Sequence, residues 1–296
     1  MDDVLVIGGS FAGLTAALQL VRTGRKITVL DTKLPRNRFT HAAQGVLGYD
    51  GLSPWDIRQR GEANFLAYPT ARIEQAEAVS AKAIDGGFAV TDAAGIERQA
   101  RRLILAYGQV DAMPDLPGFA ACWGQSVIPC PYCHGYEVAN QRLGLLYSSP
   151  MALHGAHLIR DWSDTLTLFT DGNAIADDER QKLAVRGVTL VETKVTELAH
   201  VDGALNAVVL ANGERVALDA LFAQTRATPS SNLHQILGVE TTDGPFGPWL
   251  KVDEKYQTNI AGVYAAGDII PVMPNLNLAF ASGAMAGVHC HQSMLD

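Results

Sequence analysis

The chain has 296 residues, 48% hydrophobic and 18% charged, and its 23 Lys plus Arg against 31 Asp plus Glu leave a net charge of −8. This much apolar material excludes a mainly disordered chain, and at roughly 150 residues per domain it predicts two domains. An acidic chain with no basic cluster is a poor ligand for nucleic acid or an anionic membrane. No apolar run reaches the ~18 residues of a membrane span. The start lacks a basic leader and a cleavage site, so a cytoplasmic protein is expected.

Residues 4–7, Val-Leu-Val-Ile, read as a buried strand. Gly8-Gly9-Ser10-Phe11-Ala12-Gly13 follows as a turn, and apolar residues from Leu14 onward recur at helical spacing. A second strand at 26–30 ends in Asp31, eighteen positions after Gly13, about where a dinucleotide-binding fold carries its ribose-binding acid. Ser10 stands at the middle glycine of G-x-G-x-x-G and is the smallest substitute with a β-carbon. Strand, turn, helix, strand and acid together point to nucleotide binding, against an ordinary βαβ turn with no ligand.

From 35 to 68 the chain reads as loop and helix without a clean period, carrying Arg36, Asn37, Arg38, His41, Gln44, Trp55 and Arg60. Strands are predicted at 88–91 and 101–106, with a turn at 93–95 and Tyr107-Gly108 closing the second. Pro114 and Pro117 mark a domain crossing.

The middle segment predicts strands at 142–147, 166–170, 188–191, 195–199, 205–210 and 218–223, with helices at 151–162 and 177–186. This is a second βαβ unit with a β-meander, lacking the glycines of the first. From about 228 the chain returns to the first domain. A short buried strand at 263–265 leads to a sharp turn at Gly267-Asp268. The final helix, from about 278, is rich in small residues: Ala279, Ala281, Ser282, Gly283, Ala284 and Gly287. Such a helix admits close backbone approach to another helix or to a ligand.

Four cysteines are too few for a disulfide scaffold. Cys122 and Cys290 stand alone and read as structural thiols. Cys130-Pro131-Tyr132-Cys133 is either a redox pair or half a zinc site. A closed zinc site needs four ligands. There is no second CxxC or HxxxH, and His289 with His291 does not complete a four-ligand set, so the redox reading leads and no metal is expected.

Three motifs spread over the chain resemble the flavin-dependent disulfide oxidoreductases of the low-molecular-weight thioredoxin reductase type. Gly-Gly-Ser-Phe-Ala-Gly at 8–13 resembles their first FAD fingerprint, and Cys-Pro-Tyr-Cys-His-Gly-Tyr-Glu at 130–137 their redox-active pair. Thr-Asn-Ile-Ala-Gly-Val-Tyr-Ala-Ala-Gly-Asp at 258–268 resembles their second FAD motif. Within that superfamily, the His after CxxC and the Ser in the first motif look most like the dithiol oxidases of gliotoxin- or holomycin-type metabolites. They also look like thioredoxin reductase-like proteins that do not use NADPH.

The resemblance implies an α/β fold of two Rossmann-like, three-layer ββα domains, the second inserted in the first. Residues 1–113 and 228–296 form the FAD-binding domain, and 114–227 form the CxxC-bearing insert. It implies FAD held through Gly8, Gly9, Ser10, Phe11, Ala12, Gly13, Asp31, Gly108, Gly267 and Asp268. Cys133 faces the flavin and Cys130 exchanges with an external dithiol or disulfide. The resemblance further implies a small dithiol or a thioredoxin-like protein as partner, oxygen or ferredoxin as a further redox partner, and a homodimer.

The family's Asp after CxxC is here His134, which titrates near neutral pH and suits a proton shuttle, where the bland alternative is a capping or surface histidine. The turn that would bind NADPH reads Leu146-Tyr147-Ser148-Ser149-Pro150-Met151, with no glycine. Asp171, Asp177 and Asp178 follow the next strand, where a 2′-phosphate calls for basic residues. The expected function is an FAD-dependent thiol–disulfide oxidoreductase that does not use NADPH. The alternatives are an ordinary NADPH-dependent thioredoxin reductase and a flavin-binding redox sensor without turnover.

Overall fold

The computed structural model describes residues 1–295. They divide into two compact units. One comprises Met1–Arg38, Ser53–Asp111 and the chain from Ala227 onward; the other comprises Phe39–Leu52 and Ala112–Arg226. The segment 39–52, which the sequence reading leaves with the first domain, thus packs with the cysteine-bearing one.

In the first unit, strand β1 (Asp2–Ile7) lies between β2 (Ile27–Asp31) and β6 (Glu97–Leu105), parallel to both, with Val6 beside Val29 and Ile104. The strand β3 (Ala71–Gln75) adds to β2 at the edge. The strands β4 (Ala78–Ile84) and β5 (Gly87–Asp92) form an antiparallel hairpin on the first half of β6. The last half of β6 pairs instead with Val263–Ala265, which brings the end of the chain back beside its start.

Continuous apolar runs make β1 and β2 fit a position covered on both faces. Alternate side chains of β1 serve the two faces. Leu5 and Ile7 join one core with Leu103, Leu105, Val90, Leu233 and Leu250. On the other side, helix α1 (Phe11–Val21) packs Ala16, Ala17 and Leu20 out of solvent entirely. The C-terminal helix Leu276–Gln292 lies along α1, and its small residues serve that packing. A β-carbon on Gly283 would strike the carbonyl oxygen of Ala12, and one on Gly287 would come 2.7 Å from that of Ala16.

The second unit holds a five-stranded parallel sheet in the order Val188–Val191, Leu166–Phe169, Leu143–Leu146, Ala220–Phe222, Val127–Ile128. A three-stranded antiparallel sheet (Val195–Val201, Ala204–Leu210, Arg215–Ala217) completes it. The mixed α/β architecture with parallel sheets is the expected fold class. The sequence reading missed β3 and β4. Their sequences, Ala-Arg-Ile-Glu-Gln and Ala-Val-Ser-Ala-Lys-Ala-Ile, carry charges on exposed positions and lack an apolar run. Among the described residues no helix is long and apolar enough to cross a membrane.

Because Gly283 abuts backbone rather than a flexible side chain, Gly283→Ala is expected to cost about 1–3 kcal/mol of stability. Met285→Ala, on an exposed position of the same helix, should stay within about 0.5 kcal/mol. Urea unfolding of the two variants beside the parent checks this.

Candidate functional site

Two groups of the sequence-predicted site residues lie in the two units. In the first unit, the turn after β1 places Gly8 at φ +106°, a conformation that favours glycine. A β-carbon at Gly13 would collide with the carbonyl oxygen of Gly8. Ser10 caps α1 without a side-chain hydrogen bond, and the first turn of the helix holds no acid. The amino end of α1 is therefore left to an anion, which is what backbone N–H groups and the helix dipole favour there. Phe11, Ala12 and Gly13 are buried in that first turn, and Phe11 meets Phe280 edge-on at 5.7 Å.

Asp31 closes this turn from below. Its carboxylate accepts hydrogen bonds from the backbone N–H of Gly9 (3.0 Å) and Lys33 (3.1 Å). It also pairs with Arg58 at 2.5 Å. Arg58 is almost wholly buried, donates Nε–H to the carbonyl of Gly9 (3.1 Å), and forms a second ion pair with Glu62 at 2.6 Å. Its guanidinium lies 5.2 Å from the Trp55 ring centre, and its Nη1 is buried with no hydrogen-bond partner. The sequence reading did not single out Arg58. It sits in a polar helix (Pro54–Leu66) next to exposed Gln59 and Arg60, and only its spacing from Ile57 and Phe65, both buried, hints at an inward face.

Gly267 follows Val263–Ala265 at φ +79°, and its N–H donates to Ser282 Oγ (3.1 Å). Asp268 pairs with Arg36 at 3.0 Å, and Arg36 grips Asp111 through both Nε and Nη2. Burial works against the Arg36 charge, and the two carboxylates more than offset it, so it stays cationic. Gly108, at φ +71°, accepts from the Ser230 N–H (3.0 Å). The neighbouring Tyr107 hydroxyl meets His234 Nδ1 at 3.1 Å.

In the second unit Cys130 precedes the single helical turn Pro131–His134. Its Sγ lies 2.7 Å from that of Cys133, and both are free thiols. Cys130 is pushed down to about 7, chiefly by the hydrogen bond it receives from the Cys133 thiol, with backbone N–H groups of Cys133 and Tyr132 adding to it against burial. Cys133 is pushed far up, because it donates that bond, is buried, and lies beside the charge that Cys130 acquires. One thiol ionises near neutral pH and the other keeps its proton. Tyr132 is exposed, with its ring edge-on to Trp162 at 5.7 Å.

His134 Nε2 lies 3.1 Å from Thr40 Oγ1, and its Nδ1 is buried without a partner. Burial lowers the His134 pKa, against the opposing charge of Glu137. Cys122 and Cys290 are fully buried, and burial pushes Cys290 up to about 12, in keeping with inert thiols. His289 and His291 lie in the last turn of the C-terminal helix, where His289 Nδ1 meets Gln292.

A profile of the pyridine nucleotide-disulphide oxidoreductases matches residues 2–286. The chain belongs to that family. It is 35% identical to thioredoxin reductase tcpT of Claviceps purpurea and 31% identical to thioredoxin reductase sirT of Leptosphaeria maculans, in each case over 96% of this chain and 92% of the relative. An oxidoreductase from Agrobacterium tumefaciens superposes with a TM-score of 0.94 at 38% identity, covering 99% of this chain and 98% of that one. The structure of HlmI superposes with a TM-score of 0.93 at 34% identity, covering 100% and 93%. The chain is thus a thioredoxin reductase-like, FAD-dependent disulfide oxidoreductase. The glycine turn and the uncapped start of α1 fit a dinucleotide pyrophosphate.

Two expectations follow. Alkylation of reduced Cys130 by iodoacetamide should rise with pH about a midpoint near 7. Cys133→Ala, which deletes the hydrogen bond to the thiolate, should move that midpoint up toward the ordinary thiol value of about 8.5; mass spectrometry of quenched samples reads both. Arg58→Leu leaves Asp31 buried without its cation and should cost about 3–5 kcal/mol. Arg60→Leu, two residues on and exposed, should cost less than about 0.5 kcal/mol; urea unfolding separates them.

Proposed function

We propose that this protein is a dithiol oxidase: the CPYC pair accepts electrons from a small-molecule dithiol, oxygen is the final acceptor, and no nicotinamide cofactor takes part. When bound, FAD supplies a two-electron acceptor. The overall balance is R(SH)2 + O2 → RS2 + H2O2. The reading includes a cytoplasmic homodimer.

The observation that carries it is the turn after Leu143–Leu146. There Tyr147, Ser148 and Ser149 stand where a nucleotide pyrophosphate needs glycine, and Pro150 caps the helix Met151–Ile159 without a hydrogen bond. Side chains on that turn obstruct phosphate approach, and Pro150 offers no N–H. Charge points the same way. Asp177, Asp178 and Glu179 crowd the first turn of the helix Asp177–Val185, and Asp171 is occupied by the Val195 N–H at 2.8 Å. A 2′-phosphate would meet repulsion there.

For the thiol chemistry, the low pKa of Cys130 supports its role as the sulfur that exchanges with substrate, since the thiolate is the attacking and the better leaving species. Cys133, which keeps its proton while it donates to Cys130, is in this reading the cysteine that faces the flavin. Gly8, Gly9, Ser10, Phe11, Ala12 and Gly13 are then the pyrophosphate turn. Asp31 supports the adenosine ribose, and Gly108, Gly267 and Asp268 belong to the flavin-side wall.

Anaerobic stopped-flow tests the proposal. Mixed with excess dithiothreitol, the oxidised holoenzyme should bleach at the flavin absorbance within the turnover time, and with excess NADPH or NADH it should not. Rapid bleaching by NADPH would instead favour an ordinary thioredoxin reductase.

A further inference from the structure

Trp55 stands in the first turn of the helix Pro54–Leu66, three residues before Arg58. Positions three apart lie on one face of a helix. That face meets the turn after β1, because Arg58 binds both Asp31 and Gly9. Chain order fixes which end of the sheet this is. The helix ends just before β3 begins, and β3 runs parallel to β2, with Asp31 beside Gln75. A helix that joins two parallel strands starts at the carboxyl end of the first and runs back. Asp31 is the last residue of β2. Trp55 is thus placed with Asp31 at the carboxyl ends of the strands, the edge where open α/β sheets bind their ligands.

The two faces of the indole have different surroundings. The Arg58 guanidinium lies over one of them, 5.2 Å from the ring centre, and the Arg58 side chain is only 2% exposed. That face is covered, so the 40% exposure of Trp55 belongs to the opposite face and the rim. A cation over an indole face attracts it. Here it also holds the ring, since Arg58 cannot move away without releasing Asp31 and Glu62. One face is anchored from behind, and the other is open beside a nucleotide-binding turn.

We propose that Trp55 is the platform on which the adenine of FAD stacks. The proposal rests on the reading of Asp31 as the acid of the adenosine ribose. The base is joined directly to that sugar, so it lies within one ribose of Asp31, and Trp55 is one guanidinium away from the same carboxylate. Stacking needs only the π-face of the base and no polar partner. It also supplies what Asp31 lacks. Asp31 already accepts from Gly9, Lys33 and Arg58, so its hold on the ribose is slight, and a stacked base gives the adenosine half a second attachment.

The test titrates the full-length apoprotein and follows flavin fluorescence. Trp55→Leu, which keeps apolar bulk and loses the ring, should raise the dissociation constant of FAD about 10- to 100-fold, the range that one stacked base supplies. Trp55→Phe, which keeps a smaller ring, should recover most of the loss. FMN carries the flavin and a phosphate without adenine, so its binding should not distinguish Trp55→Leu from the parent. ADP carries the adenine without the flavin. It should quench the tryptophan emission of the parent apoprotein and leave that of Trp55→Phe unquenched. Should Trp55→Leu fail to fold, as lost cooperativity in urea would show, Trp55→Phe and the ADP quenching decide alone.

An unchanged dissociation constant for FAD in Trp55→Leu would overturn the proposal. So would an equal loss for FAD and FMN, which is the mark of a merely structural tryptophan, or ADP binding that leaves the parent emission unquenched. If the parent apoprotein binds neither FAD nor ADP, the dinucleotide reading of the turn at Gly8–Gly13 fails and the platform with it, a result distinct from parent binding that is insensitive to Trp55.

Discussion

The first unit depends on how closely its chain passes itself at the end of β1. The carbonyl of Gly8 fills the space a Gly13 side chain would need, and Gly8 itself adopts a backbone conformation that side chains resist. This crossing lets α1 start within one short turn of the strand, so its unpaired N–H groups open where the strands end. The same closeness propagates. Ala12, at the first turn of α1, lies against Gly267 on one side and Gly283 on the other, where a β-carbon at Gly267 would be 2.9 Å from Ala12 Cβ. Three separated stretches of sequence are thus held at backbone contact distance by the absence of side chains.

In the second unit the organising interaction is the hydrogen bond between two thiols. A shared proton cannot lower both pKa values; what it takes from one sulfur it adds to the other. Cys130 becomes reactive because Cys133 is made unreactive, and the direction of the asymmetry follows from which sulfur receives the backbone N–H bonds at the start of the turn Pro131–His134. Such a pair works in either direction of thiol exchange. The direction of net electron flow is set by what can reach the cofactor, which is why the glycine-free turn at Tyr147–Pro150 weighs more in the functional reading than the cysteines do.

What the sequence made legible was whatever depends on backbone. Glycines that no other residue can replace announced the turn at Gly8–Gly13, and short apolar runs announced the buried strands Leu166–Phe169 and Val263–Ala265. What it concealed depends on side chains reaching across sequence distance. Arg58 looks like a surface residue because an i,i+4 pair with Glu62 is what an exposed helix face also shows, and the partners that mark it as buried lie at Gly9 and Asp31, 49 and 27 positions away. Thr40 lies 94 positions from His134 in a stretch without periodicity, so no spacing rule connects them. The packing of segment 39–52 with the cysteine-bearing unit is hidden for the same reason: it runs through contacts such as Phe39 against Gly124, not through a contiguous pattern.

Arg58 also changes what Asp31 can do. A carboxylate offers about four lone-pair positions. Oδ2 of Asp31 serves both Arg58 and the Lys33 N–H, and Oδ1 serves Gly9. A ribose hydroxyl can therefore find one position on Oδ1, a single hydrogen bond and not the paired grip of an uncommitted acid. The larger part of the work of Asp31 is structural: through Gly9 it fixes the turn at the height where a pyrophosphate would sit. Arg58 binds the carbonyl of that same glycine while Asp31 binds its N–H, so the peptide groups on both sides of Gly9 are clamped by one buried ion pair. The acid at the end of β2 and the glycines after β1, which sequence motifs treat as separate ligand contacts, form one rigid element here, and Glu62 adds a second carboxylate to the same guanidinium.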